Sequence, residues 1–593
     1  MKLRPYKAPG PSGIPNAILT HCRELLVPHL GPIYRATFTL ATYPAEWKTT
    51  ATIALRKPGK PDYSLAKVYR PIALGESLAK VLSACIAETL VHHSTRLRLL
   101  PDTHFGGLPG RSTTDSLHLV VKFIKDAWRR NEVVSALFLD VKGAFPSVSV
   151  KRLIYDLRKK GIPEEYTGWL ERKLTGRRTT IGFDDFISAP FEVNDGCDQG
   201  CPLSVILYLL YNTGLIEVAN TAAKELAPGF IDDIIFLAAG PDLEHTHRKI
   251  TDMMERPGGG NQWSISHSSL FEPDKLRLVD FTRKREASKH PGPRTVPLTR
   301  PALTLGTQTI HPAQSYKYLG VILDQELRFK EHVAYTLAKG TAWVTQFRRL
   351  SRPTVGMPSR FARQLFKAIA VPRMLYAADI FLTPVDSRPE HGRTSGSVGH
   401  IAKLARVQRT AAIHATGAMR TTATDVLDAH ADLLPFHILI NQICHRSALR
   451  LATLPDTHLL HKHMRKARRY VKWHRSPLHE LQHRFRIDPE ALESIATHRQ
   501  APGWTRQVEV KKAASKEVAY KEGMESRAQI RVYTDRSDIG GGVGASAVLY
   551  RDGQRQGTLR SHLGLSTLHT IYEVELAGIL LATHQLKKES SWM

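Results

Sequence analysis

The stretch Gly229-Phe230-Ile231-Asp232-Asp233-Ile234-Ile235-Phe236-Leu237 limits what this chain can fold into more than any other. Two adjacent carboxylates sit between short apolar runs. That pattern predicts a tight β-hairpin with buried strands and the acids at its tip. Like charges this close resist joint ionisation, so two unpaired carboxylates beside buried strands are costly. A divalent cation removes the cost, and hard oxygen ligands suit Mg²⁺. A second such dipeptide, Asp184-Asp185 in Gly-Phe-Asp-Asp-Phe-Ile, shows that the pattern alone is not specific. For either pair taken by itself, a solvated turn is the plainer reading.

A partner acid lies upstream. Ser135-Ala136-Leu137-Phe138-Leu139-Asp140-Val141 reads as a buried strand with Asp140 near its end, turning into Lys142-Gly143. Asp140, Asp232 and Asp233 then come from two separate strands and form a set able to hold two Mg²⁺ ions about 3.5–4 Å apart, as phosphoryl transfer uses. The charge balance agrees with a phosphate-bearing partner. Lys and Arg number 83 against 55 Asp and Glu, a net +28, which favours a polyanion through counterion release.

At 593 residues with 42% hydrophobic side chains, the chain is expected to form three or more domains with real cores. Five scattered cysteines (Cys22, Cys85, Cys197, Cys201 and Cys444) do not make a disulfide framework. Cys197 and Cys201 have no second pair or spaced His to complete a zinc site. No leader pattern follows Met1, and the longest apolar run, Pro202 to Ile216, is interrupted and too short to span a bilayer. A soluble intracellular protein with no membrane partner is expected. The pattern predicts helices near 77–97, 114–129, 150–160, 203–218 and 243–254, with a hairpin at 179–193 and a strand at 318–323. From about 330 to 460 it is mainly helical. His461 to Arg475 carries seven Lys or Arg and no acid, and with the polar stretch after it reads as a solvated linker.

The ordered blocks Lys-Ala-Pro-Gly-Pro, Tyr-Arg-Pro-Ile-Ala-Leu, Phe-Leu-Asp-Val-Lys-Gly-Ala-Phe, Gln-Gly-Cys-Pro-Leu-Ser, Phe-Ile-Asp-Asp, Phe-Glu-Pro-Asp-Lys and Tyr-Leu-Gly-Val carry a resemblance over roughly residues 5–325. Together they resemble a non-LTR (LINE-type) retrotransposon reverse transcriptase, most like the fungal elements. The resemblance implies an α+β right-hand polymerase, with fingers, a palm built on an antiparallel sheet, and a helical thumb. It implies an RNA-directed DNA polymerase, a nucleotidyltransferase that adds dNTPs to a primer 3′-hydroxyl, with an RNA template, a DNA primer and a nuclear location.

The same resemblance carries over residue roles. Asp140, Asp232 and Asp233 become the ligands of two Mg²⁺ ions, with Mn²⁺ as an alternative, and Asp233 the less direct ligand. Phe145 matches the bulky residue beneath the incoming sugar, which excludes a 2′-hydroxyl. Gln199 and Gly200 match the loop against template and incoming base. Arg70 matches a residue near the triphosphate, with Lys57 and Lys60 adding positive potential, and Lys275 a lysine that protonates leaving pyrophosphate. Apart from the resemblance, Arg406 and Arg409 in the helical region are candidates to grip the duplex backbone, with a solvated helix face the equal alternative.

Some residues depart from the family pattern: Cys197, Asp198, Cys201 and Pro146. Asp198 brings a negative charge to a template-facing loop, so the rival reading is a catalytically decayed nucleic-acid-binding remnant. Ala377-Ala378-Asp379 imitates a polymerase signature but lacks a second Asp and is read as thumb sequence. At the C-terminus, Arg531 to Asp535, a Gly540–Gly544 turn, a strand at 545–550 and a helix opening at Ile571 resemble the start of an RNase H domain. Asp535 and Glu575 match two of its metal carboxylates. With the later strands missing, this partial RNase H-like α/β segment is expected to be inactive. The expected domains are an N-terminal fingers extension (1–60), fingers and palm (61–325), thumb (326–460), basic linker (461–528) and the RNase H-like segment (529–593).

Overall fold

The computed structural model describes residues 3–288, 294–351, 356–385, 395–495, 512–526 and 528–590. The chain divides into two compact units, Met1–Gly503 and Trp504–Met593.

The first unit is built on an antiparallel sheet whose strands run in the order Arg277–Phe281, Val133–Leu139, Asp233–Gly240 and Glu225–Leu226. The short strand Gly229–Phe230 also pairs with Asp233–Gly240. Side chains alternate between the two faces, as the period of a strand requires. Val134, Ala136 and Phe138, with Ile235, Leu237 and Ala239, pack on the helix Thr113–Arg129 and on the helices beyond residue 330. Leu137, Leu139, Ile234, Phe236 and Ala238 pack on the helices Val150–Lys159 and Pro202–Tyr211. Both faces are covered, which is why these strands read as unbroken apolar runs.

A second sheet joins Tyr69–Leu74, Thr49–Arg56, Arg177–Phe183, Phe186–Ile187 and Phe191–Val193. Thr49–Arg56 and Arg177–Phe183 lie parallel, a long-range pairing that local sequence does not encode. The hairpin expected at 179–193 forms within this sheet. Asp184-Asp185 is its turn, Asp184 lying at φ +48° and pairing with Arg56 at 2.7 Å.

Three expectations need correction. The apolar run 203–218 is not one helix: Pro202–Tyr211 ends at Asn212, and Thr213–Ile216 follows. Residues 318–323 are not one strand but the middle of a hairpin, Ser315–Tyr318 against Val321–Asp324. Leu319 and Gly320 both take positive φ there, the geometry of a two-residue hairpin turn. The stretch from 461 is not a solvated linker either. The helices Leu459–Lys466 and Pro477–Phe485 send Leu460, Met464, Leu478 and Leu481 into the main core. Their charged residues hid an apolar residue every turn. Among the described residues, no single helix is long and apolar enough to cross a membrane.

The second unit holds three antiparallel strands in chain order, Ile530–Ile539, Gly542–Arg551 and Gln554–Leu565, and the helix Ile571–Ser590. Val543 and Ala545 pack on Val574. The third strand is absent from the sequence reading, although Asp552-Gly553 is a two-residue hairpin signal with both φ values positive.

One ion pair with a buried carboxylate links distant helices of the first unit. Ser112 and Asp115 form a reciprocal capping box at the start of Thr113–Arg129. Asp115 is fully buried and meets Arg450 Nη2 at 2.5 Å, from the helix Phe436–Ala452. Burial pushes its carboxyl up, but bonds from His458 and Arg450 outweigh this and hold it well below the usual carboxylate range. A carboxyl depressed in this way contributes stability that is whole above its unfolded pKa of about 3.9. That contribution is lost as the pH falls from there through the folded pKa. Asp115→Asn is therefore expected to cost roughly 1–3 kcal/mol, since the Arg450 left behind reaches solvent, and to flatten the acid limb of a stability-against-pH profile followed by denaturant unfolding.

Candidate active site

The register of the central sheet brings the three acids together. Leu139 faces Ile234, so Asp140 and Asp233 are the next positions along the paired strands. Gly229 pairs with Ile234 and Phe230 with Asp233, leaving Ile231-Asp232 as a two-residue turn. The expected tight hairpin with acids at its tip is therefore observed.

The turn is strained and held from several sides. Ile231 has φ +60°, a conformation that a β-branched residue rarely adopts. Asn212 Nδ2 donates to its carbonyl at 2.6 Å. A Cβ on Gly106 would stand 2.5 Å from Ile231 N, so only glycine lets this loop pass beneath the turn. Gly229 donates to the Thr103 carbonyl at 3.1 Å, and Phe105 N donates to the Gly229 carbonyl at 2.8 Å. His104 lies buried in the same loop, its imidazole kept neutral by burial and by Arg111, with its pKa pushed down to about 3.

Electrostatics at the lip are those of an acid cluster bordered by cations. Burial, and then the nearby Asp140, raise the Asp232 pKa against a backbone hydrogen bond that lowers it. Burial, Asp232 and Asp140 together push Asp233 up to about 6. Lys275 Nζ sits 2.8 Å from Asp140 Oδ2 and also bonds the Glu272 carboxylate. Burial works to lower the Lys275 pKa, but those bonds raise it overall. Lys57 has its pKa lowered by burial and then by Arg70, Lys275 and Lys60, and it also feels Asp140. Cations thus gather over the acids. An ammonium already takes a cation's place against Asp140, and desolvation, followed by repulsion from neighbouring acids, raises Asp232 and Asp233, so these oxygen donors suit a hard divalent ion. Among the described residues no group of three or more His, Cys, Asp or Glu side chains, these acids included, is arranged to hold a metal ion. The acids form an open lip.

The other expected residues fall around this lip. The Phe145 ring is half-buried, 5.1 Å from that of Tyr208, a buried residue that feels the charges of Asp232 and Asp140. Arg70 is exposed on the strand Tyr69–Leu74. The Gln199 carbonyl accepts from Ala73 N of that strand at 2.8 Å. Gly200, at φ +115°, would bring a Cβ to 3.0 Å from the Ala73 carbonyl, so its glycine is required by close packing on a strand of its own chain.

Asp198 does not present a free negative charge. Arg177, which is buried, meets Asp198 Oδ1 at 2.8 Å and donates to the carbonyls of Asp195 and Gly196 at 2.9 and 2.8 Å. Cys197 is buried beside it, and burial pushes its thiol up to about 12. Asp379 is a structural clamp, bonded to His118 Nε2 at 2.8 Å and to the Ser447 hydroxyl. Arg409 is spent on local caps, donating to Thr424 and to the Arg420 and Thr422 carbonyls, while Arg406 is exposed. In the second unit, Glu575 pairs with Arg536 at 3.2 Å, next to the exposed Asp535. Asn212, Gly106 and Arg177 are the site-shaping residues that sequence reasoning missed. An Asn closing an apolar helix and a Gly-Gly pair were the available signals.

Residues 55–323 match the family model described as reverse transcriptase (RNA-dependent DNA polymerase). A protein of Drosophila melanogaster named "Probable RNA-directed DNA polymerase from transposon BS" is 30% identical over 380 residues, covering 63% of this chain and 40% of that protein. "Probable RNA-directed DNA polymerase from transposon X-element", of the same organism, is 29% identical over 384 residues, covering 64% and 40%. "RNA-directed DNA polymerase from mobile element jockey" of Drosophila funebris is 24% identical over 388 residues, covering 64% and 40%. The chain spans about 40% of the length of these relatives.

If the lip binds divalent metal, Mn²⁺ titration followed by electron paramagnetic resonance is expected to report binding that Asp232→Asn weakens at least about tenfold. Asp184→Asn, in the other Asp-Asp pair, is expected to leave it unchanged.

Proposed function

We propose that this chain, whose residues 55–323 match the reverse transcriptase family model, is an RNA-directed DNA polymerase of a retrotransposon that extends a primer 3′-hydroxyl with dNTPs. The observation carrying this reading is the register that sets Asp140 and Asp233 on neighbouring strands with Asp232 at the adjoining turn. Asp140 and Asp232, flanked by Asp233, would hold Mg²⁺ or Mn²⁺, which supplies charge neutralisation to the attacking hydroxyl and the leaving pyrophosphate when bound.

The chain's own groups account for the rest as positioning and electrostatics. Lys57, Lys60 and Arg70 attract the triphosphate, and the Arg70 guanidinium fits phosphate oxygens in a bidentate way. Lys275, an ammonium with a raised pKa, holds a proton at Nζ within reach of Asp140 and is the candidate donor to pyrophosphate. The Phe145 ring, backed by buried Tyr208, forms a rigid wall against a 2′-hydroxyl. Gln199 and Gly200, docked on the strand Tyr69–Leu74, form the floor beneath template and incoming base. Within this reading the central sheet is the palm, the sheet joining Thr49–Arg56 to Arg177–Phe183 belongs to the fingers, and the helices beyond residue 330 are the thumb. The second unit, with Asp535 and Glu575, is the RNase H-like segment.

Primer extension on an RNA template tests the proposal. Extension with Mg²⁺ and dNTPs is expected from the native chain and is expected to vanish in Asp232→Asn while duplex binding persists. An extension-inactive native chain that still binds duplex points to the remnant reading instead. Phe145→Ala is expected to retain dNTP extension and to raise ribonucleotide incorporation by about tenfold or more, since only a steric contact opposes the extra hydroxyl.

A further inference from the structure

The basic stretch after residue 461 presents chemistry that the acidic lip does not use. Tyr470 and Trp473 are about 70% exposed, a costly placement for large rings on a folded surface. The Lys472 ammonium stands 5.3 Å from the Trp473 ring centre, and the Arg475 guanidinium 5.5 Å from that of Tyr470. A cavity of about 290 Å³ opens beside Tyr470 and Arg475, lined also by Arg468, Arg469, His483, Arg486 and Asp488. The patch is not a floppy tail. Met464 and Ala467 before it, and Leu478 and Leu481 after it, are buried in the core.

The nearby acids are accounted for. Asp488 pairs with Arg468 at 2.8 Å and Glu490 with Arg465 at 2.6 Å. Asp126 is engaged by Lys122 and Arg129. Glu480 faces Arg475 and Lys125. Among the described residues no carboxylate pairs with Lys466, Arg469 or Lys472, so the patch keeps an excess of positive charge.

We propose that this patch is a second nucleic-acid site, which binds single-stranded RNA by stacking bases on Tyr470 and Trp473 while Lys466, Arg469, Lys472 and Arg475 neutralise phosphates. Exposed ring faces gain only from bases that are free to unstack, which favours a single strand over a duplex. The choice of RNA over DNA rests on the RNA template proposed above. The site is remote from the lip. Arg129 donates to the His474 carbonyl at 3.0 Å and Trp128 meets the His474 ring, which fixes the patch at the C-terminal end of the helix Thr113–Arg129. The strand Val133–Leu139 starts near that end and reaches Asp140 only after seven residues, about 23 Å of extended chain. The patch therefore holds a strand well away from the position where nucleotides are added.

Fluorescence anisotropy tests this on the full chain carrying Asp232→Asn, with a labelled unstructured 20-nucleotide RNA, the DNA of the same sequence and a blunt duplex as probes. Tyr470→Ala with Trp473→Ala is expected to weaken RNA binding about tenfold or more while duplex affinity stays within about twofold. Trp473→Phe is expected to bind near the parent level. Arg469→Gln with Lys472→Gln is expected to reduce the slope of log affinity against log salt by about 1.4. Unchanged RNA affinity in the aromatic variant, an equal loss for duplex, or a preference for DNA overturns the proposal. Because the assay involves no polymerisation, loss of the patch and failure of primer extension are separate results.

Discussion

The pairing of Val133–Leu139 with Asp233–Gly240 governs everything at the acidic lip. Alternate side chains of both strands feed two different cores, so a slip of one residue would swap every apolar side chain to the wrong face. Each buried Leu, Ile or Phe contributes about 1.5–3 kcal/mol relative to exposure. Summed along both strands, this exceeds what crowding carboxylates at a solvent-reaching turn costs. Apolar packing therefore sets the register, and the register sets the acids. The carboxylates are placed by forces that do not involve them.

The turn carrying Asp232 adds a second constraint. Positive φ at Ile231 would relax if the hairpin were free, and three features oppose relaxation: the Asn212 amide on the Ile231 carbonyl, the 103–106 loop bonded to Gly229, and the missing side chain at Gly106. These come from segments more than a hundred residues apart in sequence, yet all brace one peptide. The strain and its braces hold the backbone from which Asp232 projects.

Much of this was legible from residue order, and the reasons for the rest are physical. The hairpin at Asp232-Asp233 and the strand leading to Asp140 were readable because buried strands and tight turns are local features. The same holds for the Thr113–Arg129 helix, where Ser112 and Asp115 make a capping box. The parallel pairing of Thr49–Arg56 with Arg177–Phe183 was not, since it joins segments separated by more than a hundred residues. Nor was the positive φ of Ile231, because a β-branched residue gives no local hint of a conformation imposed by its neighbours. The stretch after 461 was misread for another reason: with charge dominating its composition, Leu460, Met464, Leu478 and Leu481 are too widely spaced to stand out as core. At Leu319-Gly320, a glycine inside an apolar run signalled a turn that the run itself obscured.

The departures from the family pattern bear on whether this copy is decayed, and the structure gives each a local partner. Asp198 would put a bare charge on the 195–200 loop, but buried Arg177 meets it and caps two carbonyls of the same loop. A buried arginine without that carboxylate would itself be an unpaired charge, so the two residues depend on each other. Pro146 fits because Gly196, at φ +89°, has no side chain: a Cβ there would fall 2.6 Å from the Pro146 carbonyl. Cys197 fills an apolar site as a protonated thiol. Random loss of function would leave such changes without partners, as isolated charges or clashes. Matched pairs at these residues show that the departures are accommodated by the fold, so none of them disrupts the packing next to the lip; the primer-extension result, and not the packing, separates an active chain from an inert one.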